Sequence, residues 1–353
     1  MIRLSLLALV PVAPALHYLF SIPPIWVFLA GILGIGVLAD WIRAATDQLA
    51  RHTGPAVGGL LSVSLGSVAE LMLAMFVLAQ GQPSVVHAQI TGSIIGTGLL
   101  GLGLAIVVGG VTQERQTFKR ERAGLLSSLL ILVLIALLLP AVADFTARRV
   151  THPGNVSLND EDLSLLVSAA LLLLYVGNLV YTLVTHRDVF ATGEAHEAER
   201  AWPLWQCLAV LAAATAGAAV ESDLVSGALT ATAKALHLST LFMGVIILAL
   251  VGTIADLFSA VWFARQDRLG LVMSICIGSS IQVALVVAPL LVLLSWLIGQ
   301  PMTLVFENPL DLFAIAGTAL IVNAIAGDGE TTWFEGVLLI GVYVVLGIAF
   351  FFA

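Results

Sequence analysis

The 353-residue chain is 60% hydrophobic and only 10% charged, with a formal charge of −8 and a mean hydropathy of +1.07. That composition cannot give a protein of this size a water-compatible surface, so the chain belongs in a lipid bilayer. No basic block is present to suggest a nucleic-acid partner, and apolar runs of about 17–28 residues are too long for the roughly 10-residue strands of a membrane barrel.

Apolar runs bounded by charges, Pro and Gly predict an all-α polytopic membrane protein with about eleven spans. They fall at 2–20, 24–44, 55–80, 84–111, 123–143, 162–185, 203–231, 240–264, 269–296, 309–326 and 333–353. The opening Met1-Ile2-Arg3 and the small residues Ala13-Pro14-Ala15 have the form of a secretory signal. The apolar stretch continues through Phe20, past any such cleavage point, so a retained first helix is expected. With the first terminus cytoplasmic, eleven of the fourteen Lys and Arg residues fall inside, leaving only Arg148, Arg149 and Lys234 outside.

The third and eighth spans carry related motifs. Gly66-Ser67-Val68-Ala69-Glu70-Leu71 and Gly252-Thr253-Ile254-Ala255-Asp256-Leu257 are offset by 186 residues, as are Gly92-Ser93 and Gly278-Ser279 on the spans that follow. An odd span count with five steps between the two motifs makes the repeat an inverted one. The expected organisation is an extra helix over 1–20, a first half over 21–186, an acidic cytoplasmic linker over 187–201 and a second half over 202–353.

A carboxylate at the centre of a span costs about 2.5–3.5 kcal/mol by insertion scales. Glu70 has no basic residue in its span, and Asp256 has none before Arg265. The partner these acids imply is a mobile cation or a proton. Two carboxylates match a divalent cation charge for charge and hold protons when it leaves. Hard cations take oxygen ligands, about six to eight for calcium. Ser64, Ser67, Ser93, Thr97, Thr253, Ser279, Ser280 and Gln282 offer hydroxyl or amide oxygens on the repeat helices, where Gly66, Gly92, Gly252 and Gly278 permit helix breaks.

Three further residues have two open readings each. Glu221 and Asp223, inside the seventh span, read either as a proton or cation path beside the main site or as water-facing acids near the interface. His87 reads as a proton relay or as a satisfied interfacial histidine. Asp40, Asp47, Asp311 and Asn323 are assigned no chemistry. Cys207 and Cys276 lack metal or redox spacing and read as packing residues. There is no Walker lysine loop, nucleophile elbow or H-E-x-x-H, so ATP-driven transport and intramembrane proteolysis have no support.

Gly58-Gly59-Leu60-Leu61 leading to Glu70, Gly92-Ser93-Ile94-Ile95-Gly96, Val251 to Asp256, and Gly278-Ser279-Ser280-Ile281-Gln282 together resemble the two signature regions of the calcium/proton antiporters, the CAX branch of the calcium/cation antiporter superfamily. Ile321-Val322-Asn323, Asp328-Gly329 and Trp333-Phe334-Glu335-Gly336 are similar to that family's ending. The resemblance implies eleven spans, an acidic segment between halves and alternating access, with Glu70 and Asp256 as cation and proton carriers and Ser279, Ser280 and Gln282 beside them. The chain departs from the family's Gly-Asn-x-x-Glu at Ser67, Thr253 and Asp256, and Thr97 stands where the family has Asn.

The leading expectation is a cofactor-free antiporter of the bacterial inner membrane, with its C-terminus outside, exporting calcium from the cytoplasm against protons. Exchange of sodium or potassium for protons is the alternative suggested by the missing amides. A membrane enzyme or non-transporting regulator is the reading from another class.

Overall fold

The structure is a computed structural model describing residues 5–20, 22–111, 115–150, 156–181 and 202–353, with 53–64, 147–150 and 156–159 described by backbone alone. The acidic linker expected over 187–201 lies outside the described residues. The helices in chain order are α1 Val12–Phe20, α2 Pro24–Gly66, α3 Val68–Ala79, α4 Pro83–Gly110, α5 Arg120–Val150, α6 Val156–Val180, α7 Leu204–Leu236, α8 Thr240–Arg265, α9 Leu269–Ile298, α10 Pro309–Asp328 and α11 Trp333–Phe352. Nine helices among the described residues are long and apolar enough to cross a membrane, with Leu7–Phe20 and Val68–Ala79 as shorter apolar helices.

The second and third expected spans are drawn differently from their sequence boundaries. Arg43 to Thr53 is too polar for hydrocarbon, but Ala44-Ala45 and Gln48-Leu49-Ala50 are good helix formers, so polarity ends the apolar run without ending the helix. Helix α2 therefore continues for 43 residues. The break comes instead at Ser67 (φ −96°, ψ 14°), in the middle of the predicted third span. A second small departure is a two-residue antiparallel bridge in an otherwise helical chain, pairing Gln116 with Thr331 and Thr117 with Glu330.

The chain forms two units, and each draws on both sequence halves: Met1–Gln80 with Leu174–His237, and Gly81–Leu173 with Leu238–Ala353. The first unit is organised on α2 and α7. A Cβ added at Gly217 would lie 3.2 Å from Leu38, one at Gly34 3.0 Å from Glu221, and one at Gly31 2.5 Å from Val225. Numbers rise along α7 as they fall along α2, so the two helices are antiparallel. Ala13 of α1 joins Val27 and Leu224 in a small core cluster. The start of α7 is tied to α2 through the Trp202 peptide, whose N–H donates to Gln48 Oε1 (3.2 Å) and whose carbonyl accepts from His52 Nε2 (2.6 Å).

The second unit is built around α4, the most buried of the candidate spans among the described residues. Glycines along it admit neighbours to backbone contact. Gly92, Gly96, Gly101 and Gly109 approach Val245, Thr253, Leu257 and Ala264 in turn, so α4 and α8 run parallel. Gly103 and Gly336 face each other's carbonyls, and Gly110 meets Trp333, so α11 runs antiparallel to α4.

Helix α9 folds back on α8 through the turn Gln266–Arg268, and Ser279 reaches Asp256 across that hairpin. It is therefore antiparallel to α8 and to α4. Since α4 and α9 are the spans offset by 186 in sequence, the repeat is inverted within this unit. Both carry a π-turn at nearly matching register, Gly96–Gly101 in α4 and Val283–Val287 in α9. Such bulges widen the backbone ladder and are frequent at functional sites.

Gly92 and Gly278 hold equivalent repeat positions in different surroundings. A Cβ at Gly92 would fall 1.9 Å from Val245 O and 2.5 Å from Ala249 Cβ, whereas one at Gly278 meets nothing within 4 Å. Gly92→Ala is expected to destabilise the protein by about 1–3 kcal/mol through overpacking, and Gly278→Ala by less than about 0.5 kcal/mol. Thermal unfolding of the two purified variants checks the difference.

Candidate cation site

Asp256 sits in α8, nine residues before its end at Arg265, and Ser279 sits ten residues after the start of α9 at Leu269. The hairpin brings them level, and Ser279 Oγ donates to Asp256 Oδ2 at 2.6 Å. A bond to an ionised acceptor is shorter and stronger than a neutral one. Asp256 is partly buried and Ser279 is buried.

A second hydroxyl cluster joins α4 to α9. Thr97, within the π-turn, donates to Ser93 O (2.8 Å) and lies 2.9 Å from Ser280 Oγ. With the Thr97 proton on Ser93 O, Ser280 donates to Thr97. Turned the other way, Ser280 reaches Cys276 O at 3.1 Å. Thr253 donates to Ala249 O (2.9 Å) and faces Gly96, where an added Cβ would lie 3.8 Å from its hydroxyl. Ser93, Thr97, Thr253 and Ser280 are all fully or almost fully buried. Gln282 is partly buried, next to the π-turn of α9.

In the first unit, Glu70 occupies the first turn of α3, directly after the break at Ser67, and is 4% exposed. Unsatisfied amides at a helix start favour negative charge by about 0.3–1 kcal/mol. Ser67 is partly buried and makes no side-chain cap. The side chain of Ser64 is outside the described residues.

The residues given two readings are separated by their surroundings. Glu221 is 1% exposed, and Asp223, two residues further along α7, is exposed. The two therefore face opposite sides of their helix. His87, in the second unit, is buried on α4. Its Nε2 donates to Thr303 O at 2.7 Å, and its ring stacks at a tilt on Phe306, centroids 5.0 Å apart. Cys207 and Cys276 are both buried and form no disulfide.

Sequence reasoning missed Asp311. It lies in the first turn of α10, where Asn308 caps the helix by accepting from Leu310 N. An acid there reads as ordinary helix-start chemistry, yet Asp311 is 2% exposed and faces Thr91 of α4. The available signal was Thr91 itself, a polar residue in an otherwise packed span. Within either unit no three His, Cys, Asp or Glu side chains among the described residues converge to hold a metal. Any cation held here takes most of its ligands from hydroxyl, amide and carbonyl oxygens.

Parallel and antiparallel spans, glycine-mediated contacts and buried acids in apolar helices define a polytopic helical membrane protein with an internal inverted repeat. Comparison with known proteins places it further. The model of the sodium/calcium exchanger protein family matches on two segments, residues 23–184 and 207–352, and the chain belongs to that family. It is 38% identical to a Ca(2+)/H(+) antiporter of Aphanothece halophytica over 99% of this chain and 95% of that one. The Ca(2+)/H(+) antiporter ChaA of Bacillus subtilis is 37% identical over 89% and 88% of the two chains.

Among solved structures, native YfkE superposes with a TM-score of 0.83 at 32% identity, covering 99% of this chain and all of that one. The H+/Ca2+ exchanger CAX gives 0.72 at 16% identity over 97% and 86%, a likeness of fold. The protein is a membrane transporter of the cation-exchanger type and not an enzyme.

The Thr97–Ser280 contact is a side-chain to side-chain bond between the two repeat-related helices. Double-mutant cycles with Thr97→Val and Ser280→Ala are expected to give a coupling of about 0.6 kcal/mol, the average for hydrogen bonds between membrane helices. Unfolding of both single variants and the double variant measures it.

Proposed function

We propose that the protein exports calcium from the cytoplasm in exchange for protons, by alternating access to a site in which Glu70 and Asp256 supply the carboxylates. The observation that carries this reading is the Asp256–Ser279 pair, held by a 2.6 Å bond at equivalent depths on a helical hairpin of the second unit. Depth supports it as well. Nine residues separate Glu70 from Ala79 and Asp256 from Arg265. Nine residues are about 14 Å of helix, close to half of a roughly 30 Å hydrocarbon core.

The proposed exchange needs no cofactor. When the cation leaves, each carboxylate accepts a proton, and the neutral acids allow the empty site to be turned over. When calcium arrives it displaces those protons, and Ser279 rotates so that its oxygen faces the metal instead of donating to Asp256. The relatives named as Ca(2+)/H(+) antiporters support the choice of calcium. The charge bias of the loops supports an inner-membrane location with a cytoplasmic N-terminus. Ser67, Ser93, Thr97, Thr253, Ser280 and Gln282 complete the oxygen set in this reading.

A second reading, exchange of sodium or potassium for protons, draws on a specific observation. The Thr97 and Thr253 hydroxyls donate to carbonyls of their own helices, which holds each oxygen against its helix wall, short of the reach of the amides the family carries at these positions.

Proteoliposomes loaded with acid and containing the purified protein are expected to take up calcium as protons leave. Glu70→Gln or Asp256→Asn is expected to reduce that flux by at least about 100-fold, the effect of removing a directly acting charged group. Ser279→Ala is expected to weaken apparent calcium affinity about 10-fold, with the maximal rate retained. Full exchange in both carboxylate variants would overturn the assignment. Competition by sodium or potassium stronger than by strontium would favour the second reading.

A further inference from the structure

The first unit holds a buried acid that the proposed exchange site does not use. Glu221 is 1% exposed, and neither of its carboxyl oxygens has a hydrogen-bond partner. It packs into a notch in α2 made by Gly31 and Gly34. A Cβ added at Gly34 would lie 3.0 Å from Glu221 Cδ and 3.2 Å from Oε1, and one at Gly31 would lie 3.4 Å from Oε2. The carboxyl thus lies against bare helical backbone whose own N–H groups are engaged within α2. The adjacent Ser222 hydroxyl is likewise buried without a partner.

On the described parts of α1, α2, α3 and α6 in this unit the ionisable groups are His17 and Tyr18 on α1, Asp40, Arg43, Asp47, Arg51 and His52 on α2, Glu70 on α3 and Tyr175 on α6. Asp223 and Lys234 share α7 with Glu221. None of them bonds to the Glu221 carboxyl. On α2 the nearest in sequence, Asp40, is six residues beyond Gly34, about 9 Å along the axis. A buried carboxylate ion needs a counter-charge or donors, and this one has neither. Among the described residues no group of three His, Cys, Asp or Glu side chains gathers here to hold a metal ion. A proton needs no ligand set.

We propose that the Glu221 carboxyl is a proton-binding site additional to the paired carboxylates, taking a proton while α2 and α7 are packed together and releasing it when they part. The antiparallel contact through Gly31, Gly34 and Gly217 is then a proton-dependent one. Charging Glu221 makes the closed contact unfavourable, and parting the helices admits the water that stabilises the ion. Its use in transport rests on the exchange reading above, whereas proton binding itself does not.

The test is therefore made without flux. The purified full-length protein at pH 7 is treated with dicyclohexylcarbodiimide, which attacks protonated carboxyls in apolar surroundings, and peptides are read by mass spectrometry. The adduct is expected on Glu221 and not on exposed Asp223. Infrared difference spectra between the wild type and Glu221→Gln are expected to lose one carboxylic-acid carbonyl band, with the unfolding temperature unchanged. Loss of carboxylate bands alone, or labelling of other acids with none at Glu221, would overturn the proposal. Should Glu221→Gln fail to fold, wild-type labelling decides. Proteoliposome exchange at pH 6 and pH 8 then reads the coupling. A flat wild-type response would count against exchange and leave the proton site standing.

Discussion

Hydrocarbon cannot solvate a polar group, and the architecture follows from that constraint. Thr97, Thr253 and Ser280 are each buried in apolar helices, and each hydroxyl finds a backbone carbonyl or another hydroxyl within 2.8–3.1 Å. Three of these bonds stay within one helix, whereas Thr97–Ser280 joins α4 to α9 beside Gly98, where an added Cβ would lie 3.7 Å from Ser280 Oγ. At Gly92, Gly96, Gly101 and Gly109 the neighbouring helix α8 comes close to bare backbone. Van der Waals contact at such stripes drives helix association where lipid is as apolar as leucine.

The acids obey the same rule by different routes. Asp256 accepts from Ser279, Glu70 lies at a helix start, and Asp311 faces Thr91 near a capped N-terminus. Glu221 has both carboxyl oxygens buried without a hydrogen-bond partner, and Asp311 has its Oδ1 so. Carboxylates kept in such surroundings are expensive, and a transporter is the kind of protein in which that expense has a use.

Much of this was legible along the chain. The 186-residue offset showed the duplication, and an odd span count gave its inversion, which the parallel α4–α8 and antiparallel α8–α9 contacts bear out within the second unit. Asp256 and Ser279 could be named together because both motifs repeat. Asp311 could not, since an acid after Asn308-Pro309 looks like any helix start and only the packing of α10 on α4 buries it. The boundary between the second and third spans was misjudged for a local reason: charges at Arg43 and Arg51 mark the end of hydrocarbon, whereas a helix ends only where the backbone is released, here at Ser67.

Composition and periodicity by themselves determined the environment, the helical class, the repeat and which acids sit too deep to be ordinary surface groups, because each follows from the free energy of moving single residues out of water. Tertiary structure alone decided which hydroxyl serves which partner, that Asp223 and Glu221 face opposite ways, and that the chain's two units are not its two halves. Those depend on which helix faces meet, a property of pairs of segments far apart in sequence that no single span carries.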